Sequence, residues 1–475
     1  PIKSSAASDV YKRQMKRYTK MEYENPDEMT FGFSKHPVKT KNGLEIGAGY
    51  VNPMIKVAPK EGSENSKDTM VSECRNIAIS ACQRAVNIGL PSFILEQEHI
   101  AQQTANPDWA GECTQAQVEV LEKFQDEYGI KTALKATPAD IRDEAKGENY
   151  RTSSQYQQVM ESIEQCCENG ASIICIETTG GKSVSDYGIS RGDPRAILFG
   201  IGVLGSIDME FMWTEIVKIC SKHNVIPGGD TNCSQSNTAM FLAGGLLDKD
   251  CSHTLAAIAR AIGACNSLVA VECGAKGPLK DCGYENPIVK SISGVPIATE
   301  GKNAVCAHSD LMGNLIAGIT DCWSNESVYH REEMGGTTPE VWLQATGYEA
   351  ALMNTAIETG NDKILRDLYT LADKYRDPQA LILAYDNAHR IGRAIVEYGD
   401  DPYQRSIAGA LEAGTIIREA VEDKKMQLTR FEQDSLDGAM KIYEKLPEDS
   451  GKFIKQSSKR YGRKVEDFDP KNYEL

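Results

Sequence analysis

Apolar residues recur along this chain in two alternating rhythms. Residues 69–88 carry them at the three-and-four spacing of an amphipathic helix, and the short apolar run 91–95 follows, ending in the acidic Glu96 and Glu98. The pair then repeats: a helical pattern at 115–128 before a strand-like 131–135, 154–168 before the strongly apolar 171–176, 207–223 before 225–227, and 255–264 before 267–271. A period near 3.6 marks a helix with one buried face, and a short apolar run bounded by turn residues marks a buried strand. Helices alternating with buried strands predict parallel βα units. At least five such units favour an α/β chain closed into a (β/α)8 TIM-type barrel, which takes about 250 residues, over an open doubly wound sheet.

The flanks read differently. Residues 15–68 are rich in Gly, Pro, Asn and Lys without periodicity, which predicts an irregular N-terminal cap wrapped on the barrel of residues 69–337. Residues 1–14 are polar, lack the apolar core of a signal peptide and precede the first methionine, Met15, so they are read as a non-native leader. Beyond 338 strand signals stop, predicting a helical extension over 338–475 packed on the barrel. Asp377-Pro378 pairs an N-cap with Pro at the first helical position, and the pattern runs to Gly399. Asp401-Pro402 opens another helix, and Thr429 with Glu432 forms a capping box that opens a third.

Composition narrows the function. In 475 residues, 41% hydrophobic and 25% charged, there is enough apolar material for a large core without disulfide staples. A formal charge of −16 repels a phosphate backbone and an anionic membrane surface, so neither nucleic acid nor membrane is an expected partner. The longest nearly uncharged apolar stretch, 196–207, is shorter than the ~18 residues of a spanning helix. The 14 cysteines include no C-x-x-C pair, which predicts reduced thiols in a cytoplasmic protein and requires any metal site to be assembled from distant positions.

Several short motifs fail on geometry. Gly200, Gly202 and Gly205 match a dinucleotide fingerprint but sit mid-chain without the acidic strand end that binds ribose, and predict a tight turn with close packing. Gly180-Gly181-Lys182-Ser183 resembles the end of a phosphate-binding loop, yet Ile176 stands where the first Gly is required. His330 begins a zincin-like run that lacks its second His. His99 and His308 are read as structural, and no D-x-H-x-x-G exists with which this chain could ligate a corrinoid itself.

Three residues stand apart because each follows an apolar run: Glu177 after 171–176, Cys233 after 225–227 and Cys282 after 267–271. In a barrel such positions converge on one mouth. Two thiolates and a carboxylate suit Zn²⁺, and three protein ligands leave the fourth tetrahedral position open for chemistry. Asp230 and Glu98 are candidates for orienting ligands or handling protons.

At these residues the sequence resembles the methanol:corrinoid methyltransferases, zinc subunits that act with a separate corrinoid protein. The likeness runs through 18–475 and includes Leu-Glu-Ile-Gly-Ala-Gly-Tyr at 44–50, Gly-Asp-Thr-Asn-Cys at 229–233, Lys-Asp-Cys-Gly-Tyr-Glu-Asn at 280–286 and Cys-Trp-Ser-Asn-Glu-Ser at 322–327. It implies that Zn²⁺ is held by Glu177, Cys233 and Cys282, that methanol is the methyl donor, and that a Co(I) corrinoid on a partner protein is the nucleophile. The metal is needed because hydroxide is too basic to leave unaided; Glu98, Asp230 or solvent then supplies the proton. The resemblance further implies a homodimer within a hetero-oligomer. A methoxylated compound or methylthiol as donor, a zinc hydrolase on the same barrel, and a metal-free scaffold remain as alternatives. Turnover without corrinoid and metal analysis separate the last two.

Overall fold

A computed structural model describes residues 17–142, 149–244, 251–280, 283–299, 308–311, 339–399 and 401–475. A hairpin of β1 (Phe33–Lys39) and β2 (Glu45–Ala48) precedes β3 (Asn52–Val57), then α1 (Lys67–Asn87), β4 (Ser92–Glu98), α2 (Ala101–Ala105), α3 (Pro107–Tyr128), β5 (Lys131–Thr137), α4 (Ser154–Glu168), β6 (Ile173–Cys175) and α5 (Lys182–Ile189). A long helix α6 (Pro194–His223) leads to β7 (Ile226–Gly229), α7 (Cys233–Gly244), α8 (His253–Cys273), α9 (Asn286–Ser293), β8 (Ile297–Thr299) and β9 (His308–Leu311). Seven helices end the chain: α10 (Pro339–Glu358), α11 (Asp362–Asp373), α12 (Pro378–Leu383), α13 (Tyr385–Val396), α14 (Pro402–Glu422), α15 (Arg430–Tyr443) and α16 (Ser450–Tyr461).

Seven parallel strands run in the order β7-β6-β5-β4-β3-β9-β8. The gap between β7 and β8 is filled by the extended segment 275–280: Lys276 and Gly277 donate their backbone N–H groups to Pro227 and Gly228 at 2.7 and 2.8 Å. Its other edge lies against Pro296, so close that a Cβ on Gly277 would stand 2.2 Å from the Pro296 carbonyl oxygen. Side chains also cross the interior, with Lys135 Nζ of β5 donating to the Leu279 carbonyl at 2.9 Å. Together these close the (β/α)8 TIM-type barrel that the βα alternation predicts.

Alternation along the strands sorts the interior into layers, because every second residue points inward. Met54, Ile94, Ala133, Ile173 and Cys175 form an apolar floor, sealed by Leu44 and Ile46 of the β1–β2 hairpin. Two residues further along β3, β4 and β5 come Lys56, Glu96 and Lys135, all fully buried. Opposite faces of the same strands, with Ile55, Val57, Phe93, Leu95 and Leu134, pack on α1, α3 and α10. Each such side chain contributes about 1.5–3 kcal/mol on burial.

Four sequence expectations need correction. The run 267–271 is not a strand but the last turns of α8, a helix buried on all sides, whose continuous apolarity masks its 3.6 period. The true sixth barrel position, 275–280, reads Ala-Lys-Gly-Pro-Leu-Lys and carries no strand signature. The first barrel strand, β3, lies inside 15–68, and α10 packs on β3 and α1 as a barrel helix, so the barrel extends past both expected limits. The pattern from 378 to 399 breaks at Ala384, whose ψ of 135° separates α12 from α13. Thr429 caps α15 as expected, but the Glu432 carboxylate does not reach back; it accepts from the His253 and Thr254 N–H groups and so caps α8 from the extension.

Against the expectation that no apolar stretch is long enough to span a membrane, α6 and α8 are so by length and composition, but 83% and 100% of their apolar windows are buried inside the protein, as in core helices. The extension docks on α8 through Glu272, which receives two N–H bonds from Arg405, one from Arg17 and one from the Tyr18 backbone.

Candidate metal centre at the barrel mouth

Above the apolar floor the barrel carries charge. Lys135 pairs with Glu96 at 3.1 Å, and Lys280 lies between Glu96 at 3.3 Å and Glu98 at 3.2 Å. Thr137 donates its hydroxyl to Glu96. Charges taken out of water need partners in good geometry, and this network supplies them from β4, β5 and 275–280. One more step along the strands reaches the mouth, where Glu98, Thr137 and Glu177 face the same cavity of about 420 Å³ together with His99, Asp140 and Thr179. A larger cavity of about 1030 Å³ opens at the opposite end, beside Val38, Lys276 and Val295, and holds none of the expected ligands. Barrel chemistry belongs to the strands' C-terminal end, so the smaller cavity is the candidate site; of the expected ligands Glu177 lines it.

Glu177 stands two residues beyond Cys175 on the inward face, partly buried at the cavity wall. The loop after it is held at each residue. Thr178 N–H donates to the Asp230 carboxylate at 3.2 Å, and Thr179 donates its N–H and hydroxyl to Asp140 at 2.9 and 3.1 Å. Gly181 N–H donates to the Tyr473 hydroxyl at 2.8 Å. Burial pushes the Asp140 carboxyl up, but the Arg142 guanidinium at 2.6 Å and the Thr179 bonds outweigh it and hold it below the usual carboxylate range. Arg142 in turn grips Asp208 of α6 through two bonds at 3.0 and 2.8 Å.

Cys233 is the first residue of α7 and is buried. A helix N-terminus favours an anion, which is what a metal-binding thiolate requires. Its neighbours tie it to the Glu177 loop: Ser234 donates to the Thr178 carbonyl at 3.4 Å and Gln235 donates to the Gly180 carbonyl at 2.7 Å. Cys282 lies outside the described residues. The adjoining Gly283 packs on Thr231, where a Cβ would stand 2.3 Å from Thr231 Cγ2, and Glu285 accepts from the Asn232 N–H at 2.7 Å. The segments that carry Glu177 and Cys233, and residues 283–285 that follow Cys282, therefore meet around residues 230–235.

The two proton-handling candidates separate here. Glu98 lines the cavity. Asp230 is fully buried and accepts from Trp213 Nε1 and the backbone of Thr178 and Thr231. Burial pushes its carboxyl up to about 8 against those three hydrogen bonds, with Glu177 adding to the rise. Asp230 thus orients the loops on either side and does not open on the cavity.

The remaining motifs are structural. Gly200, Gly202 and Gly205 lie in a wide π-helical stretch and the start of the α-helix that follows it, not in a turn, and they give close packing: Cβ atoms on Gly200 and Gly202 would meet Ser185 and Ser406 at 2.6 and 2.2 Å. Lys182 donates to the Ser234 carbonyl and Thr238, bracing α5 on α7. His308 begins β9, and His330 lies outside the described residues. Glu164, Glu168 and His223 bring ligand atoms within 4.8 Å of one another on the outer surface, where Glu164 is already paired with Lys222. Asp140, Arg142, Thr231 and Lys280 were not foreseen. Asp140 and Arg142 pair with each other locally, but Asp140 reaches Thr179, Arg142 reaches Asp208 and Lys280 reaches Glu96, 39 to 184 positions away, and Thr231 meets Gly283 only in the fold, so no local pattern announces these roles.

A family model described as the methanol-cobalamin methyltransferase B subunit matches residues 15–474. A methanol–corrinoid protein co-methyltransferase from Methanosarcina barkeri (strain Fusaro / DSM 804) is 51% identical over 458 residues, 96% of this chain and 99% of that protein. The crystal structure of the methanol:cobalamin methyltransferase complex MtaBC from Methanosarcina barkeri is similar with a TM-score of 0.88 and 50% identity, covering 97% of this chain and 100% of that one.

Proposed function

The chain belongs to the methanol-cobalamin methyltransferase B subunit family, and from that premise we propose that it transfers the methyl group of methanol to the cobalt of a corrinoid carried by a separate protein, using Zn²⁺ held by Glu177, Cys233 and Cys282. The observation that carries the reading is the convergence at the mouth: an inward carboxylate after β6, a buried cysteine at the start of α7, and the segment beside Cys282 packed on Thr231. That donor set, two sulfurs and one oxygen, suits Zn²⁺.

Zn²⁺ held by Glu177, Cys233 and Cys282 would supply Lewis acidity to the methanol oxygen, making hydroxide a better leaving group for methyl transfer to the partner's Co(I) corrinoid. The chain's own residues prepare the ground for this. Asp140, Asp230 and Tyr473 hold the loop bearing Glu177 rigid, which keeps the carboxylate aimed without cost at the moment of reaction. Glu98 faces the cavity, paired with the Lys280 ammonium at 3.2 Å, and is placed to relay a proton from solvent to the departing hydroxide. One water occupies about 30 Å³, so a methanol fills little of the 420 Å³ cavity.

The same proposal places the protein in the cytoplasm, supported by eleven cysteines among the described residues that form no disulfide. It also makes the chain a homodimer within a hetero-oligomer, supported by Ile364, Leu368 and Leu371, which stand exposed at helical spacing on α11. The test of the activity uses purified protein, its zinc content, and the visible spectrum of Co(I) cobalamin given methanol. Wild-type protein holds one zinc per chain and methylates the cobalt. Cys233→Ala and Cys282→Ala keep the wild-type circular dichroism but lose both; a variant with full zinc and full activity defeats the ligand assignment.

A further inference from the structure

We propose that Thr231 is a positioning residue that donates its hydroxyl hydrogen to the Cys233 sulfur and so sets how strongly that thiolate donates to the metal. The inference rests on the zinc reading above and adds to it a group that does not touch the metal.

Thr231 Oγ1 lies 2.9 Å from Cys233 Sγ, and both residues are buried. Among the described residues this hydroxyl has no other hydrogen-bond partner. A thiolate that binds a cation carries no proton, so the hydroxyl must be the donor. The geometry is fixed from three sides. Thr231 N–H is committed to Asp230 Oδ1 at 2.8 Å, and a β-branched side chain has few χ1 positions to choose from. Its methyl group occupies the space that Gly283 leaves open, where a Cβ would come within 2.3 Å of Cγ2. One small side chain therefore holds a sulfur ligand with its hydroxyl and supports, with its methyl, the backbone next to the other sulfur ligand.

Two thiolates and a carboxylate bring three negative charges to one divalent ion, which quenches the acidity the reaction needs. A hydrogen bond to one sulfur draws electron density back from the metal, as partners behind metal ligands do generally. The donor thus restores acidity without surrendering a ligand.

Thr231→Val keeps the shape and removes the hydroxyl; Thr231→Ser keeps the hydroxyl and removes the methyl. Each protein is stripped, reloaded with Zn²⁺ or Co²⁺, and compared with wild type by zinc competition against a chromophoric chelator, by the sulfur-to-cobalt charge-transfer band, and by methanol-dependent methylation of Co(I) cobalamin. Thr231→Val is expected to move the band to longer wavelength, because the sulfur is then more electron-rich. It should also change kcat or zinc affinity by about 10- to 100-fold, with the KM for methanol near that of wild type. Thr231→Ser should keep the band where wild type has it. A Thr231→Val protein with the wild-type band and zinc constant overturns the proposal, as does a Thr231→Ser protein that shifts like Thr231→Val. Failure of wild type itself to bind one zinc sinks the zinc reading instead and is seen before any variant is made.

Discussion

His99 follows β4 at the wall of the mouth cavity, yet it is only 4% exposed. Its ring meets weak partners, the Thr104 hydroxyl at 3.5 Å and the Cys166 sulfur at 3.9 Å, and no carboxylate offsets the loss of water. Burial pushes the imidazole down to about 3 from the usual 6.5. The unfolded chain therefore takes up the proton first. The stability tied to neutral His99 is complete above pH ~6.5 and is lost as pH falls from there toward 3, at up to about 1.4 kcal/mol per pH unit. Between pH 7.5 and 5.0 this one group removes about 2 kcal/mol, and the full window is worth about 5 kcal/mol. The perturbation is His99→Gln, which cannot titrate. Urea unfolding of both proteins at the two pH values gives a double difference in which every other ionisable group cancels. The expected outcome is that His99→Gln loses about 2 kcal/mol less than wild type on acidification. An equal loss in both proteins would refute the argument that burial alone keeps this ring neutral.

Glu272→Ala strands Arg405, which is 2% exposed and gives the carboxylate two N–H bonds, so thermal unfolding should report a loss of about 3–5 kcal/mol and early detachment of the C-terminal helices. Gly283→Ala forces a methyl to within 2.3 Å of Thr231 Cγ2; overpacking costs about 1–3 kcal/mol, and because Thr231 must yield, zinc content should drop below one per chain while the far-UV spectrum holds. A Gly283→Ala protein with full zinc would show that Thr231 has room to move.

The helix at 154–168 was legible in the chain to the residue, because Ser153 caps it and its apolar positions keep one face. So were Asp377-Pro378 and Asp401-Pro402 as helix starts, where a side chain close in sequence satisfies the first free N–H groups. Local chemistry writes such signals locally. Of the mouth, the placement of Glu177 just after an apolar run was legible, and it lines the cavity; Cys233 and Cys282 were named as ligands with it by the family resemblance. By contrast, 267–271 misled, since α8 is walled in on every side and complete burial erases the difference between helix and strand patterns.

The sequence by itself determined the alternating units, the helix caps and the inward step of two that carries the β6 strand from Cys175 to Glu177. Only the tertiary structure decided that 275–280, with no strand signature, closes the barrel, since backbone hydrogen bonds to β7 and the absence of a side chain at Gly277 fit it there. It alone decided that Lys280 meets Glu96 and Glu98 across the barrel and that Thr231 fills the hollow at Gly283 while reaching Cys233. The physical reason is range. A cap or a turn is settled within four residues, whereas a buried charge or a packed methyl is settled by whichever distant segment closure brings against it.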